Sequence, residues 1–381
     1  MNEVNNNLLA QKIGILGGGQ LGRMLIQKGI DWNLQLSVLD PDAEAPCHSI
    51  APFTHGKLTD YETVIRFGNT CDIVTIEIEN VNTQALKELE RMGKKVFPQP
   101  QIIELIQDKQ KQKQFYQEHH IPTAEFILTK NRAEVGRHKD FLPAVHKLGR
   151  EGYDGRGVQV IRTASEMSKA FDAAGILEKL IDFEKEISVI VARNERGEVV
   201  SYPAVEMVFH PEANLVEYLF APAQISIEVA KQADDIARKV IGALKMTGLL
   251  AVEMFVTKSK EVLVNEVAPR PHNSGHQTIE ANVTSQYEQH LRSILNLPLG
   301  ETALIHPSAM VNLLGEEGHT GPAQYTGMEE ILKMPGVYVH LYGKMITKPF
   351  RKMGHVTIVD DNLENLKKKA TFVKQTMRVI S

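Results

Sequence analysis

The sequence predicts a mixed α/β and α+β protein that opens with a parallel-sheet domain. Three observations carry this expectation. Short β-branched runs alternate with helical patterns up to Phe97, a proline-punctuated polar stretch follows, and a later region strings strand patterns together with few helices between them. In the first region, strand patterns at 12–16, 35–39 and 73–78 alternate with helical patterns at 21–29, 60–68 and 83–92. This is the order of βαβ units and of a Rossmann-like sheet.

Pro98 and Pro100 end that region, and a Gln/Lys-rich helix at 108–119 starts the next. We expect three parts: an N-terminal domain at 1–107, a lid at 108–183 built from short strands, and a catalytic unit at 184–381. In the last part, segments 186–193, 199–202 and 215–220 read as adjacent antiparallel strands. Residues 225–245 form an amphipathic helix, 249–267 a hairpin, and 364–375 a basic helix near the end.

With 381 residues the chain exceeds what one core usually organises. Its 43 basic and 47 acidic side chains give a net charge of −4, which provides no broad positive field for nucleic acid or an anionic membrane. Any phosphate site must be local. Cys47 and Cys71 have no metal or redox spacing, so we expect reduced thiols. No signal peptide or membrane span is expected, and the setting read from this is cytoplasmic.

Gly17-Gly18-Gly19-Gln20-Leu21-Gly22 satisfies G-x-G-x-x-G between a strand and a helix, with Asp40 closing the second strand. That is a dinucleotide fingerprint, and it keeps an NAD-dependent oxidoreductase open. The physics alone supports any anion at a helix start.

Glu253 and Glu266 carry a different chemistry. With a four-residue loop at 258–261, Thr257 pairs with Val262 and the two carboxylates face each other. Opposed like charges destabilise a sheet, and burial in apolar strands raises both pKa values. A divalent cation resolves the conflict, and Mg²⁺ fits two carboxylates and nucleotide phosphates. Asn265 adds an oxygen.

Four glycines and two arginines within residues 149–157 suit a loop that closes over a triphosphate, and Lys147 can project an ammonium at it. After Glu266, Ala268-Pro269-Arg270-Pro271-His272-Asn273-Ser274-Gly275-His276 forms a stiff loop of anion donors. A zinc pair at His272 and His276 is disfavoured by the prolines and glycine.

The lid Gly152-Tyr153-Asp154-Gly155-Arg156-Gly157, the strand Ala251-Val252-Glu253-Met254-Phe255 and the run from Asn265 to His276 resemble the ATP-grasp superfamily, within it the carboxylating branch of purine biosynthesis. The resemblance implies an ATP-grasp fold, ATP and Mg²⁺ as cofactors, bicarbonate and 5-aminoimidazole ribonucleotide as substrates, and a homodimer. It places Glu253 and Glu266 on the metal. It places Lys109, Lys147, Tyr153, Asp154, Gly155, Arg156, Gly157, Gln159, Glu178, Lys179, Leu180, Ile181, Glu186, His210, Asn265 and Glu266 around ATP. Tyr153, Arg270, His272 and Asn273 fall at the bicarbonate or carboxyphosphate site. Gln20, Glu77 or Glu79, Lys344, Arg351 and Lys352 fall at the ribonucleotide. At Lys109 the family more often carries arginine, so the bidentate fork is lost there. A formate-dependent enzyme formylating glycinamide ribonucleotide shares the fold, and a nucleotide sensor without turnover is a third alternative.

Overall fold

The computed structural model describes residues 10–150, 157–209 and 216–381. The expected site residues Tyr153, Asp154, Gly155, Arg156 and His210 lie outside the described residues.

The N-terminal domain is a five-stranded, fully parallel sheet in the order Phe53–His55, Gln35–Asp40, Lys12–Leu16, Ile73–Ile76, Lys95–Phe97. Its inner strands are near-continuous apolar runs because helices cover both faces. Phe53–His55 and Lys95–Phe97 have three residues each, too short to show a period, and the sequence did not reveal them. The strand expected at 73–78 stops at Ile76, which frees Glu77 and the residues after it to leave the sheet.

The middle part is a four-stranded antiparallel sheet in the order Phe126–Thr129, Gly175–Lys179, Ala144–Leu148, Val158–Ile161. The helix Lys109–Glu118 leads into it, capped by the Asp108 carboxylate, which accepts from the Gln110 and Lys111 amides.

The largest sheet has nine strands. Val262–Ala268, Gly248–Thr257, Phe183–Arg193, Val205–Phe209, Val216–Ala221, Ser308–Leu314, Lys352–Val359 and Val337–Leu341 follow one another, and Val199–Ser201 pairs with Phe183–Arg193. The expected neighbourhood of 199–202 and 215–220 is corrected here. Val205–Phe209, unseen in the sequence, lies between Phe183–Arg193 and Val216–Ala221. A last strand, Arg378–Ile380, also unforeseen, follows the helix Leu363–Thr376.

Helix Ile227–Leu244 is capped by Ser226, and its Val229, Ala233, Ile236, Ala237, Val240 and Ile241 recur at helical spacing on one face. They pack on Ile187, Val189, Val191, Leu250 and Val252 of the large sheet. A second core joins the parts: Tyr287, Leu291, Ile294 and Tyr342 pack with Ile13, Leu21, Met24 and Leu25. Each fully buried side chain of this size contributes ~1.5–3 kcal/mol, so this interface holds the N-terminal domain firmly against the C-terminal part. Both cysteines are buried and unbridged. Among the described residues, no helix is long and apolar enough to cross a membrane.

Candidate active site

The glycine fingerprint is filled from within. The Gly18 amide donates to Asp40 Oδ2 at 2.6 Å, and the Leu21 amide donates to Glu77 Oε1 at 3.2 Å. A β-carbon on Gly19 would stand 2.4 Å from Glu77 Oε1, so only glycine admits the carboxylate there. Asp40, the residue that would read the adenosine ribose of a dinucleotide, is thus spent on the loop itself. A carboxylate also sits where a pyrophosphate would bind the helix start. This local chemistry removes the basis of the dinucleotide reading.

On the large sheet, Glu253 and Glu266 are direct cross-strand partners, as the sequence predicts. The path to that pairing differs. Val256, not Thr257, pairs with Val262, and an irregularity after Glu253 takes up the extra residue, Asn265, restoring the opposition. The expected pKa behaviour holds for one partner only. Burial, then Glu266 and Glu186, push Glu253 up. Lys109, whose Nζ lies 3.0 Å from Glu266 Oε2, leads the forces that hold Glu266 down against its burial. Lysine suffices for that ion pair.

A lysine cluster adjoins this pair. Glu178 Oε2 receives Lys147 Nζ at 2.5 Å, Glu178 Oε1 pairs with Lys113, and Lys147 also donates to Asn265 Oδ1 at 2.9 Å. Burial would raise Glu178, but Lys147 and Lys113 together hold it at about 2. Lys113 was not foreseen. It lies one helical turn after Lys109 and so shares its face, while its side chain is only 2% exposed. Within the polar run Lys109–Gln114 nothing but that spacing distinguishes it from the solvated lysine between them. Lys113 also bonds the Thr123 hydroxyl. Glu186 faces the same pocket: burial pushes it up to about 7, with Lys147 opposing and Glu266 reinforcing.

The remaining nucleotide-side candidates line the lid sheet. Gln159 pairs with His146 across strands and donates to the Val160 carbonyl, and the Gly157 carbonyl accepts from the Leu148 amide. The amides of Lys179 and Leu180 donate to the Glu125 and Pro143 carbonyls at 2.8 and 3.0 Å, and the half-buried Ile181 follows.

The loop after Glu266 joins the metal-type pair to the N-terminal domain. Arg270 Nε lies 2.8 Å from Glu79 Oε1, and the guanidinium charge acts on both Glu77 and Glu253. This separates the two glutamates: Glu77 caps the glycine loop, while Glu79 holds Arg270. His272 Nε2 stands 3.5 Å from Glu253 Oε1. Its backbone is clamped by Gln286, which accepts from the His272 amide at 2.8 Å and donates to its carbonyl at 2.7 Å. Gln286 is fully buried and was missed, since a buried amide leaves no sequence signature. Burial, then Arg270 and Lys352, push His272 down to about 3, so it is a neutral ring rather than an ammonium-like donor. Asn273 is buried, and its side-chain oxygen and nitrogen have no hydrogen-bond partner among the described residues. Among those residues no group of three His, Cys, Asp or Glu forms a metal cluster, and His276 turns to Tyr287 rather than to His272.

At the far end, Lys344 Nζ donates to Gln20 Oε1 at 3.0 Å and to the Lys352 carbonyl at 2.7 Å. Arg351 Nη1 donates to the Ile346 carbonyl at 2.5 Å. Gln20, Glu77, Glu79, Arg270, Lys344 and Lys352 therefore form one polar line that continues into Glu253, Glu266 and the lysine cluster. Such a line suits two anionic ligands meeting at Arg270.

Comparison with known proteins matches three stretches of the chain. Residues 10–107 match the ribonucleotide synthetase preATP-grasp domain family, 114–287 the ATP-grasp domain family, and 308–369 the phosphoribosylaminoimidazole carboxylase C-terminal domain family. The N5-carboxyaminoimidazole ribonucleotide synthase of Bacillus subtilis is 37% identical over 91% of this chain and 91% of its own. Longer relatives named phosphoribosylaminoimidazole carboxylase also match, and the chain spans about two thirds of their length. A crystal structure of the synthetase from Thermotoga maritima aligns with a TM-score of 0.90 at 42% identity, covering 97% of this chain and 99% of that one. The Aspergillus clavatus synthase, in complex with ADP and 5-aminoimidazole ribonucleotide, aligns with a TM-score of 0.87 at 32% identity, covering 96% and 99%.

Proposed function

The chain belongs to the N5-carboxyaminoimidazole ribonucleotide synthases of the ATP-grasp superfamily, and from that premise we propose how its residues divide the reaction between them. The enzyme is a carbon–nitrogen ligase: it carboxylates the exocyclic amine of 5-aminoimidazole ribonucleotide at the expense of ATP. The observation that carries the residue assignment is the opposed pair Glu253 and Glu266, flanked by a lysine cluster on one side and by Arg270 on the other.

Two carboxylates forced together, one of them pushed up by burial and by its partner, fit a divalent cation. Glu253 and Glu266 would hold Mg²⁺, which when bound neutralises phosphate charge and aligns the transferring group. Lys109, Lys147 and the lid residues 153–157 and Gln159 surround the triphosphate. Glu178 holds Lys147 in place, and Glu186 faces the ribose hydroxyls. With the amides of Lys179 and Leu180 already bonded, Ile181 and the carbonyls of 178–181 read the adenine edge.

Arg270, fixed by Glu79, grips bicarbonate so that one of its oxygens attacks the γ-phosphorus as the bond to the β-phosphate oxygen breaks, giving ADP and carboxyphosphate. The amine then attacks the carboxyl carbon, phosphate leaves with that oxygen, and the amine loses a proton. Neutral His272, Asn273 and Tyr153 contact the intermediate. Gln20, Glu77, Lys344, Arg351 and Lys352 hold the ribonucleotide. Carboxyphosphate hydrolyses readily, so exclusion of water by the lid is part of the chemistry. A cytoplasmic homodimer is the assembly we expect.

The test is ADP release with bicarbonate present, with and without the ribonucleotide. We expect strong stimulation by 5-aminoimidazole ribonucleotide and none by formate with glycinamide ribonucleotide. Absence of stimulation, or stimulation by the formate pair, would overturn the assignment.

A further inference from the structure

Beneath the ribonucleotide side of the site lies a stack of three imidazoles. His276 and His355 lie face to face with centroids 4.5 Å apart and planes 18° apart, and His355 and His340 at 4.4 Å and 11°. His276 and His355 are fully buried. The Tyr287 hydroxyl bonds His276 Nδ1 at 2.8 Å, the Tyr342 hydroxyl bonds His355 Nδ1 at 3.0 Å, and Glu280 Oε1 meets His340 Nε2 at 2.7 Å. Nε2 of His276 and of His355 has no hydrogen-bond partner among the described residues. A buried polar atom left unpaired costs ~1–3 kcal/mol, so stability alone does not favour histidine at these two places.

Each ring comes from a different part of the site. His276 ends the loop that carries Arg270, His272 and Asn273. His355 lies on the strand that begins with Lys352, and His340 lies on the strand leading to Lys344. Tyr287 belongs to the helix whose Gln286 clamps His272, and it packs with Leu21 and Met24 of the helix that Gln20 opens. The stack thus ties the segments that carry Gln20, Lys344 and Lys352 to the loop that holds the activated carboxyl.

We propose that the His276–His355–His340 stack is a positioning element that sets the distance between the carboxyl group activated at the Arg270–Asn273 loop and the amine of the ribonucleotide held by Gln20, Lys344 and Lys352. The inference rests on the bicarbonate and ribonucleotide reading above. On the productive path the amine nitrogen bonds the carboxyl carbon, the carbon–oxygen bond to phosphate breaks, and the amine proton leaves. On the wasteful path a water oxygen makes that bond instead, returning bicarbonate and phosphate. Both paths form one ADP, and reacting atoms must stand about 3–3.5 Å apart for the first to win. A loosened stack therefore changes the ratio of ADP to carboxylated product, which loss of stability alone does not.

The experiment measures ADP and product together at saturating ribonucleotide for His355→Ala, His340→Ala and a control, His290→Ala. His290 is fully buried and bonded to Thr75 Oγ1 at 2.9 Å, outside the stack. Wild type is expected to give about one ADP per product. His355→Ala should raise the ratio at least about fivefold, because displacements of about 1 Å cost up to a hundredfold in rate. His340→Ala, at the partly exposed end of the stack, should raise it less, and His290→Ala should lower thermal stability at a wild-type ratio. Wild-type ratios in both stack variants, or an equal rise in the control, would overturn the proposal. If His355→Ala does not fold, His340→Ala decides. A wild-type enzyme that ignores the ribonucleotide strikes the functional reading instead.

Discussion

Glu266→Gln is expected to lower turnover by roughly a thousandfold while leaving the fold intact. Two effects combine. The substitution removes one of the two carboxylates that face each other on the hairpin, and with it the charge that makes the pair a cation site. Loss of several kcal/mol of stabilisation in the transition state corresponds to about a thousandfold in rate. It also leaves Lys109 without its carboxylate partner, but the charges of Glu178 and Glu253 still act on that ammonium. The hairpin backbone does not depend on it. Far-UV circular dichroism should match wild type, and binding of Mn²⁺, followed by its electron spin resonance signal in the absence of nucleotide, should weaken in parallel with turnover. Retained turnover would remove the metal assignment.

The second large effect is expected at Glu178. Glu178→Gln leaves two ammonium groups, with side chains 2% and 13% exposed, facing a neutral amide. Removing one partner of a buried ionic cluster costs about 3–5 kcal/mol because the remaining charge is stranded. Here the cost falls on the lid sheet, where Glu178 lies on a strand paired with both Phe126–Thr129 and Ala144–Leu148. We expect a marked drop in thermal stability together with an ATP dissociation constant raised at least about tenfold, equivalent to about 1.4 kcal/mol. Lys113→Met should do less, since Glu178 keeps Lys147. The wild-type protein carries a matching pH dependence. Glu178 is held at about 2, well below the ordinary carboxylate value, so its contribution to stability is complete above that ordinary range. It is lost as pH falls toward 2. Glu178→Gln should therefore show a flatter fall in stability over that acid range. A melting temperature and acid profile equal to wild type would show that the lysines find other partners.

The features legible in the sequence were those written in local patterns. The hairpin Gly248–Thr257 and Val262–Ala268 announced itself through two apolar runs around a short polar loop, and the opposition of Glu253 and Glu266 followed from counting along it. The count succeeded because two departures cancel: the turn is wider by one residue, and the irregularity at Asn265 restores the register. The proline-stiffened loop from Arg270 to His276 was equally visible, because its residue types have few purposes together.

What the sequence hid are contacts made across the chain. The glycine fingerprint looks like a dinucleotide site until Glu77, from 56 residues away, is found on the Leu21 amide and Asp40 on Gly18. No local pattern shows that a motif is already occupied. Lys113 sits in a run of Gln and Lys that reads as a solvated helix, and only the fold turns it toward Glu178. The histidine stack joins positions 276, 340 and 355, whose spacing carries no period. Short edge strands such as Phe53–His55 form because neighbours supply hydrogen bonds, and their own residues do not demand it.

The central claim is that this site phosphorylates bicarbonate and passes its carboxyl group to the ribonucleotide amine. It is tested most directly with bicarbonate labelled with oxygen-18, following the label into inorganic phosphate and into the carboxylated product in one turnover. The account predicts one labelled oxygen in the phosphate and two in the product carboxylate, because the attacking oxygen stays with phosphorus when the amine displaces it. Phosphate free of label, with the product still formed, would contradict it.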